Sequence, residues 1–204
     1  NMNKTIKYGI IGAGVMGQEH IHNINIIDNA EVVAVCDTNE KSNNQARLII
    51  KDPTNFYNNI EDIISNNIAD AYIIATPNFS HIDILERMLK TNKHLLVEKP
   101  LCTTTKDCKK FEILSKNYSK IIWTGMEYRY MPPVKQLIEE IHNNTIGEIK
   151  MLSIREHRFP FLHKVDDWNR FAINTGGTLV EKCCHFFDLM RLVTQSEPIK
   201  VYAS

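Results

Sequence analysis

The chain has 204 residues, enough for one domain of ordinary size and part of a second. Its 24 Lys and Arg residues balance its 24 Asp and Glu residues, so no net field favours nucleic acid or an anionic membrane as a partner. No apolar run reaches the length that spans a bilayer, and the five cysteines have no disulfide spacing, so we expect a cytoplasmic protein that binds small molecules.

The first predicted element is a buried strand over residues 6–11, which leads directly into a Gly-x-Gly-x-x-Gly turn and a helix over residues 18–27. Gly12 permits the tight turn, Gly14 lets the backbone approach a pyrophosphate, and Gly17 lets the helix pack against the strand. Val15 and Met16, inside the motif, bring the free N–H groups of the helix to that phosphate. The turn therefore predicts a dinucleotide site.

The second predicted strand, over residues 31–36, ends at Asp37, about 20 residues beyond Gly17. A carboxylate at that distance accepts hydrogen bonds from an adenosine ribose. It also favours NAD over NADP, because a 2′-phosphate would face the carboxylate and the next residue, Thr38, carries no positive charge. Lys41 weakens that preference.

Strands and helices continue to alternate up to residue 126, which predicts right-handed crossovers and a doubly wound parallel sheet of the α/β class. The further strands are expected at residues 56–57, 71–75, 94–97 and 121–124, and the further helices at 39–51, 60–65, 80–89 and 104–117. We assign residues 1–126 to this dinucleotide-binding domain.

Beyond residue 126 the pattern changes, and residues 127–204 are expected to begin a second α/β domain with a mixed open sheet. Helices are predicted at residues 133–142 and 178–193, and strands at 147–155 and 199–202. Two strands do not close a stable sheet face, so we expect the natural protein to continue beyond Ser204.

Polar residues follow the carboxyl ends of the later strands, where an open parallel sheet binds its ligands. They are Thr76 and Asn78, with Pro77 between them, after the fourth strand, Glu98 and Lys99 after the fifth, and Glu127 after the sixth. Lys99 is the first candidate for proton transfer, because desolvation and a nearby nicotinamide charge would both lower its pKa. A surface lysine just past a strand explains its position equally well. A cis bond before Pro100 would fix the direction of Lys99.

A second constellation lies on the helix predicted after Gly176-Gly177. Helical spacing places Glu181, His185 and Asp188 on one face. His185 is a natural proton acceptor from an alcohol, and Glu181 lies one turn before it, where it could orient the ring. A solvated Glu–His pair is the alternative. No metal is predicted, because adjacent cysteines at 183 and 184 point about 100° apart on a helix.

The irregular segment over residues 157–170 mixes aromatic, amide and charged side chains. Trp168 offers a flat face to a sugar ring and Arg170 offers a fork to hydroxyl groups, so both are candidate substrate-binding residues. A loop packed on its own aromatic side chains is nearly as good an explanation.

With these residues in place, the sequence resembles the Gfo/Idh/MocA family of oxidoreductases, named for glucose–fructose oxidoreductase and inositol dehydrogenase. The resemblance runs along the whole chain in order. It is carried by Gly12-Ala13-Gly14-Val15-Met16-Gly17, Cys36-Asp37, Ala75-Thr76-Pro77-Asn78 with His81, Glu98-Lys99-Pro100, Arg129, and Gly176-Gly177 with His185 and Asp188.

The resemblance implies a Rossmann domain followed by an α/β domain that often forms homo-oligomers. It implies NAD(P)-dependent oxidation of a hydroxyl on a sugar, inositol or related polyol. The family's catalytic lysine and histidine correspond to Lys99 and His185, and the resemblance adds His81 to the cofactor contacts and Arg129 to the substrate contacts. One departure is Glu181, where family members often carry Asp: the longer side chain keeps the charge but moves it.

Two alternatives belong to other functional classes. Some proteins of this fold cleave glycosidic bonds with a recycled NAD, so an NAD-dependent glycosidase is possible. A non-catalytic sensor that binds a dinucleotide is the other, although a pure sensor needs neither Lys99 nor His185.

Overall fold

The computed structural model of the protein describes residues 4–157 and 159–202, so Arg158 of the aromatic segment lies outside the described residues. The strands are β1 (Ile6–Ile11), β2 (Ala30–Cys36), β3 (Asn55–Tyr57), β4 (Ala71–Ile74), β5 (His94–Val97) and β6 (Ile122–Thr124). The α-helices are α1 (Val15–Ile24), α2 (Glu40–Ile49), α3 (Ile60–Asn66), α4 (His81–Met88), α5 (Thr105–Ser115), α6 (Pro132–His142), α7 (Ala172–Thr175), α8 (Thr178–Glu181) and α9 (Cys184–Thr194).

The six strands form one sheet in the order β3-β2-β1-β4-β5-β6, and every neighbouring pair is parallel. Chain order reverses between β1 and β4, which is the switch point at which open α/β sheets bind dinucleotides. The predicted doubly wound parallel sheet is therefore confirmed.

The register of the sheet places the last residues of neighbouring strands side by side. Ile11 pairs with Cys36 on one side and with Ile74 on the other, Ile74 pairs with Val97, and Val97 pairs with Thr124. The residues that follow these strands therefore emerge at one edge of the sheet.

Alternate residues of the strands pack on opposite faces of the sheet, as the period of a strand requires. On one face Ile10, Val35 and Ile73 belong to a core that includes α1 and α2 residues. On the other face Ile11 and Ile74 belong to a core that includes α3 and α4 residues. The sheet is thus covered on both faces, and its carboxyl edge is left for ligands.

Two glycines fix the turn between β1 and α1. Gly12 has a φ of +94°, and a Cβ there would lie 2.7 Å from the backbone of Ala75. A Cβ on Gly17 would lie 1.9 Å from the Gly12 carbonyl oxygen, so only glycine allows α1 to pack this closely. By contrast, a Cβ on Gly14 would meet no atom within 4 Å.

The long helix predicted over residues 178–193 is wrong, because the chain forms two helices, α8 and α9, with a break at Lys182 and Cys183. At the break the Cys183 N–H donates to the Thr178 carbonyl, a wider turn than that of an α-helix. The side chain of Lys182 is buried there and forms an ion pair with Glu156, which is distant in sequence. Glu181 and His185 therefore do not share the face of one continuous helix.

The strands predicted at residues 147–155 and 199–202 are also wrong for the described part of the chain, which forms no strand after Thr124. Met151 and Ile199 are exposed there, and Ile149, Leu152 and Ile154 are only partly buried. Alternating polarity alone does not make a strand, because backbone N–H and C=O groups also need a neighbouring strand as a partner.

Within the described residues, no helix is both long enough and apolar enough to cross a membrane. All five cysteines are free thiols.

Substitution of Gly17 tests the close contact between β1 and α1. We expect Gly17→Ala to lower the free energy of unfolding by at least about 2 kcal/mol, because its Cβ would strike backbone that has no room to move. Gly14→Ala is the matched control and should change stability by less than about 1 kcal/mol. Urea unfolding measures both. Equal stabilities for the two variants would contradict this account of the turn.

Candidate functional site

A single cleft of about 1310 Å³ runs along the carboxyl edge of the sheet and continues to α8 and α9. It brings together most of the residues predicted for the site. Those that line it are Gly12, Gly14, Val15, Met16, Asp37, Thr76, Pro77, Asn78, Glu98, Lys99, Glu127, Trp168, Glu181 and His185.

The glycine turn forms one part of the cleft wall. α1 begins at Val15, directly after Gly14, and no side chain caps its N-terminus. The first N–H groups of the helix therefore remain available to a ligand, and the space around Gly14 is open. Such a turn at a helix N-terminus suits a pyrophosphate.

Asp37 lies at the end of β2 and is held by two backbone hydrogen bonds. The Ala13 N–H donates to Oδ2 at 2.7 Å, and the Asn39 N–H donates to Oδ1 at 2.7 Å. The carboxylate is thus fixed beside the glycine turn and keeps lone pairs for a further donor. Thr38 and Lys41 line the same end of the cleft.

Glu98 lies in the middle of the cleft and is buried. Its Oε1 is 2.7 Å from Nε2 of His20, a residue of α1. Burial raises the pKa of the Glu98 carboxyl, but the hydrogen bond and the charge of His20 outweigh that effect and hold the pKa below its ordinary value. Glu98 is therefore an ionised, fixed group near neutral pH.

Lys99 follows Glu98 and precedes Pro100 through a cis peptide bond. Its Nζ donates to the backbone carbonyl of Glu181 at 3.0 Å, a contact that joins the edge of the sheet to α8. The contact is with a neutral backbone group, and Lys99 itself lines the cleft.

His185 is buried, with 1% of its surface exposed. Its Nε2 lies 3.4 Å from Oε1 of Glu127, and its ring stacks on that of Tyr128 with centroids 4.1 Å apart. Burial, followed by the charges of Lys99 and Lys182, lowers the pKa of His185 to about 4. The imidazole is therefore neutral near neutral pH.

Glu127 and Lys164 in the cleft also have shifted pKa values. Burial raises the pKa of Glu127, and the charge of Glu98 adds to that effect. Burial lowers the pKa of Lys164, and repulsion by Lys99 lowers it further. Lys164 also faces the ring of Trp168, with Nζ 5.8 Å from the ring centroid.

The carboxylate beside the His185 ring is that of Glu127, whereas Glu181 presents its backbone carbonyl to Lys99. Sequence spacing had suggested Glu181 for the ring. The break between α8 and α9 changes that spacing, so the role of Glu181 toward His185 stays a prediction.

Four of the predicted residues lie away from the cleft lining: Gly17, His81, Arg129 and Arg170. His81 is buried between the carbonyls of Pro100 and Thr76, at 2.9 and 3.0 Å, and burial lowers its pKa. The Arg129 guanidinium is bound by the Asp188 carboxylate, and Arg170 donates to the Phe161 carbonyl at 2.8 Å. These contacts join the three side chains to other residues of the protein, and their assignment to cofactor or substrate stays a prediction.

Sequence reasoning missed four residues that complete the site: His20, Tyr128, Lys164 and Lys182. The partners of His20, Tyr128 and Lys182 lie far away in the sequence, so local spacing carries no signal for them. Lys164 lies four residues before Trp168, whose ring it faces, so spacing could have indicated that contact. Lys182 lies between two predicted residues, Glu181 and His185, but no role was predicted for it.

Comparison with known protein families gives two matches. A family described as "Oxidoreductase family, NAD-binding Rossmann fold" matches residues 6–126. Its companion, described as "Oxidoreductase family, C-terminal alpha/beta domain", matches residues 138–204. Together they span most of the chain.

Two curated relatives illustrate the similarity. An inositol 2-dehydrogenase of Salmonella typhimurium is 28% identical over 97% of this chain and 58% of its own length. A glucose-6-phosphate 3-dehydrogenase of Bacillus subtilis is 29% identical over 94% of this chain and 54% of its own length. The chain therefore spans little more than half the length of these relatives.

Solved structures show the same fold. The scyllo-inositol dehydrogenase of Lactobacillus casei superposes with a TM-score of 0.79 at 22% identity, over 96% of this chain and 56% of its own. The myo-inositol dehydrogenase of the same organism, in complex with NAD(H) and myo-inositol, superposes with a TM-score of 0.66 at 29% identity, over 71% of this chain and 43% of its own.

The burial of neutral His185 predicts a pH dependence of stability. Its pKa is about 4 in the folded protein against 6.5 ordinarily, so between these values the unfolded chain binds more protons. The free energy of unfolding is therefore unaffected by the titration of this group above pH 6.5. It falls as the pH drops from 6.5 toward about 4, because the unfolded chain takes up the proton first. Relative to His185→Gln, the wild type should lose about 2 to 3 kcal/mol between about pH 7 and pH 4.5.

Urea unfolding at several pH values measures this difference. The His185→Gln variant is the control, because it keeps all the other titrating groups. Parallel stability curves for the two proteins would contradict a buried neutral His185.

Proposed function

Because the chain belongs to the Gfo/Idh/MocA family of oxidoreductases, we propose that it functions as an NAD-dependent dehydrogenase that oxidises a hydroxyl group of a cyclic polyol or sugar. The observation that carries the proposal is the meeting of the glycine turn, Lys99 and His185 in one cleft. A dinucleotide is long enough to join them.

The residues of the cleft fit NAD. Gly12 and Gly14 with the uncapped N-terminus of α1 would hold the pyrophosphate. Asp37 would accept hydrogen bonds from the adenosine ribose, and its charge disfavours the 2′-phosphate of NADP. Thr76, Asn78 and Glu98 line the path onward to Lys99.

Bound NAD⁺ would supply the acceptor for the hydride that leaves the substrate carbon. We assign the proton of the substrate hydroxyl to His185, whose buried imidazole is neutral near neutral pH and so has a lone pair to accept it. Lys99 would donate a hydrogen bond to the same oxygen, since its ammonium is held at the cleft surface by the Glu181 carbonyl. Lys99 is the alternative proton acceptor.

The remaining polar groups would position Lys99 and His185. His20 fixes the Glu98 carboxylate, which lies directly before Lys99 in the chain. Glu127 lies beside Nε2 of His185. Of the residues chosen for the substrate, Trp168 lines the cleft and offers its ring, whereas Arg129 would act through Asp188.

The substrate class rests on the relatives. Several are named inositol dehydrogenases, and one solved neighbour holds NAD(H) and myo-inositol. Another relative is named for glucose 6-phosphate, so the proposal extends to sugars. We also propose residues 1–126 as the cofactor domain, residues 127–204 as part of a substrate and homo-oligomer domain, and a cytoplasmic location.

Lys99→Ala tests the proposed chemistry. We expect the variant to bind NAD as tightly as the wild type but to form NADH from the best polyol about 10²- to 10⁴-fold more slowly, because the substrate oxygen loses the hydrogen bond from Lys99 as its proton is transferred. Lys110→Ala is the matched control, since that lysine is exposed and forms a surface ion pair with Glu86. Calorimetry measures NAD binding and absorbance measures NADH.

Turnover near that of the wild type in Lys99→Ala would refute the lysine assignment. A wild-type chain that binds NAD, forms no NADH with any polyol or sugar, and hydrolyses a nitrophenyl glycoside would favour the glycosidase. NAD binding without either activity would favour the sensor.

A further inference from the structure

Lys182 is a buried lysine beside the candidate site, with 8% of its side-chain surface exposed. Its Nζ lies 3.0 Å from Oε1 of Glu156 and donates a hydrogen bond to the hydroxyl of Tyr128. The Tyr128 hydroxyl in turn donates to Glu156 at 2.9 Å. A buried ammonium is costly without such partners, so the three side chains form a closed set.

Tyr128 connects this set to His185. The two rings are nearly parallel, with an interplanar angle of 8° and centroids 4.1 Å apart. Within the described part of the chain, Nδ1 of His185 is buried and has no hydrogen-bond partner. The orientation of the imidazole therefore depends on the stack with Tyr128 and on the contact of Nε2 with Glu127.

Several charges act on the imidazole from the elements around it. Lys99 at the end of β5 and Lys182 at the end of α8 disfavour a protonated ring, whereas Glu98 and Asp188 favour it. The Glu127 carboxylate, after β6, lies beside Nε2. Of the two lysines, Lys182 is the one that also holds the ring on which His185 stacks.

We propose that Lys182 is a positioning residue for His185: by binding the Tyr128 hydroxyl it fixes the ring on which the imidazole stacks, and so the plane of the imidazole. Its positive charge acts on the same ring and disfavours protonation. The inference rests on the proposed role of His185 as the proton acceptor. It gives Lys182 a task in the reaction although the side chain itself does not receive the proton.

A purely structural role is the competing explanation. The ion pair with Glu156 also ties residues 151–157 to the break between α8 and α9. If Lys182 only anchored that segment, its removal would lower stability and leave the titration of His185 where it is. The titration of His185 therefore separates the two explanations.

The test compares Lys182→Met, which removes the charge and keeps the length of the side chain, with Lys182→Arg, which keeps the charge. Nuclear magnetic resonance of the imidazole C–H groups measures the pKa of His185 in the full chain, with His185→Gln to assign the signal. We expect the pKa to rise by about one pH unit in Lys182→Met and to stay near the wild-type value in Lys182→Arg.

In kinetic assays the acid limb of the kcat/KM profile should move to higher pH in Lys182→Met, and kcat should fall about tenfold or more with KM little changed. Glu156→Gln is the second variant, in case Lys182→Met does not fold. Without the negative charge of Glu156, the positive charge of Lys182 acts more strongly on the imidazole, so the pKa of His185 should fall.

An unchanged His185 pKa in folded Lys182→Met or in Glu156→Gln would overturn the proposal and leave the structural role. The resonance measurement needs no substrate. A wild-type chain without turnover would therefore remove the proposed function, whereas an unchanged titration in an active enzyme would remove only the role of Lys182.

Discussion

The parallel register of the sheet is the constraint on which the site depends. Ile11, Cys36 and Ile74 end their strands side by side, and Val97 and Thr124 continue the same line. The glycine turn, Asp37 and the Glu98-Lys99 pair follow those ends, so backbone hydrogen bonds alone bring them to one edge. A slip of one residue in any strand would turn its buried residues to the wrong face and displace its polar end from the cleft.

The second requirement is the control of charge in a partly buried cleft. Glu98 is hydrogen-bonded to His20, Lys182 is paired with Glu156, and Arg129 is paired with Asp188. His185 differs, because burial and two nearby lysines leave it neutral. A site in which fixed charges surround one neutral imidazole suits a reaction in which a proton leaves as a hydride is transferred, since charge then develops where the protein is already organised.

The parts of the fold set by local sequence were predictable. The six strands, the helices between them, the Asn39 cap that accepts from Ser42, and the residues after each strand all follow from short patterns. The break at Lys182 was not predictable, because it accompanies contacts with Tyr128 and Glu156, which are distant in sequence. The pair of His20 with Glu98 was missed for the same reason. The strands expected after residue 146 were wrong because an alternation of polar and apolar residues does not specify a partner strand.

The central claim is that the carboxyl edge of the sheet binds NAD with Asp37 on the adenosine ribose. Parallel calorimetric titration of the full chain with NAD and NADP tests it most directly. The account predicts saturable NAD binding that is about tenfold or more tighter than NADP binding, because the 2′-phosphate would face a carboxylate fixed by two backbone hydrogen bonds. NADP binding as tight as NAD binding, or no binding of either by a chain that unfolds cooperatively, would contradict it.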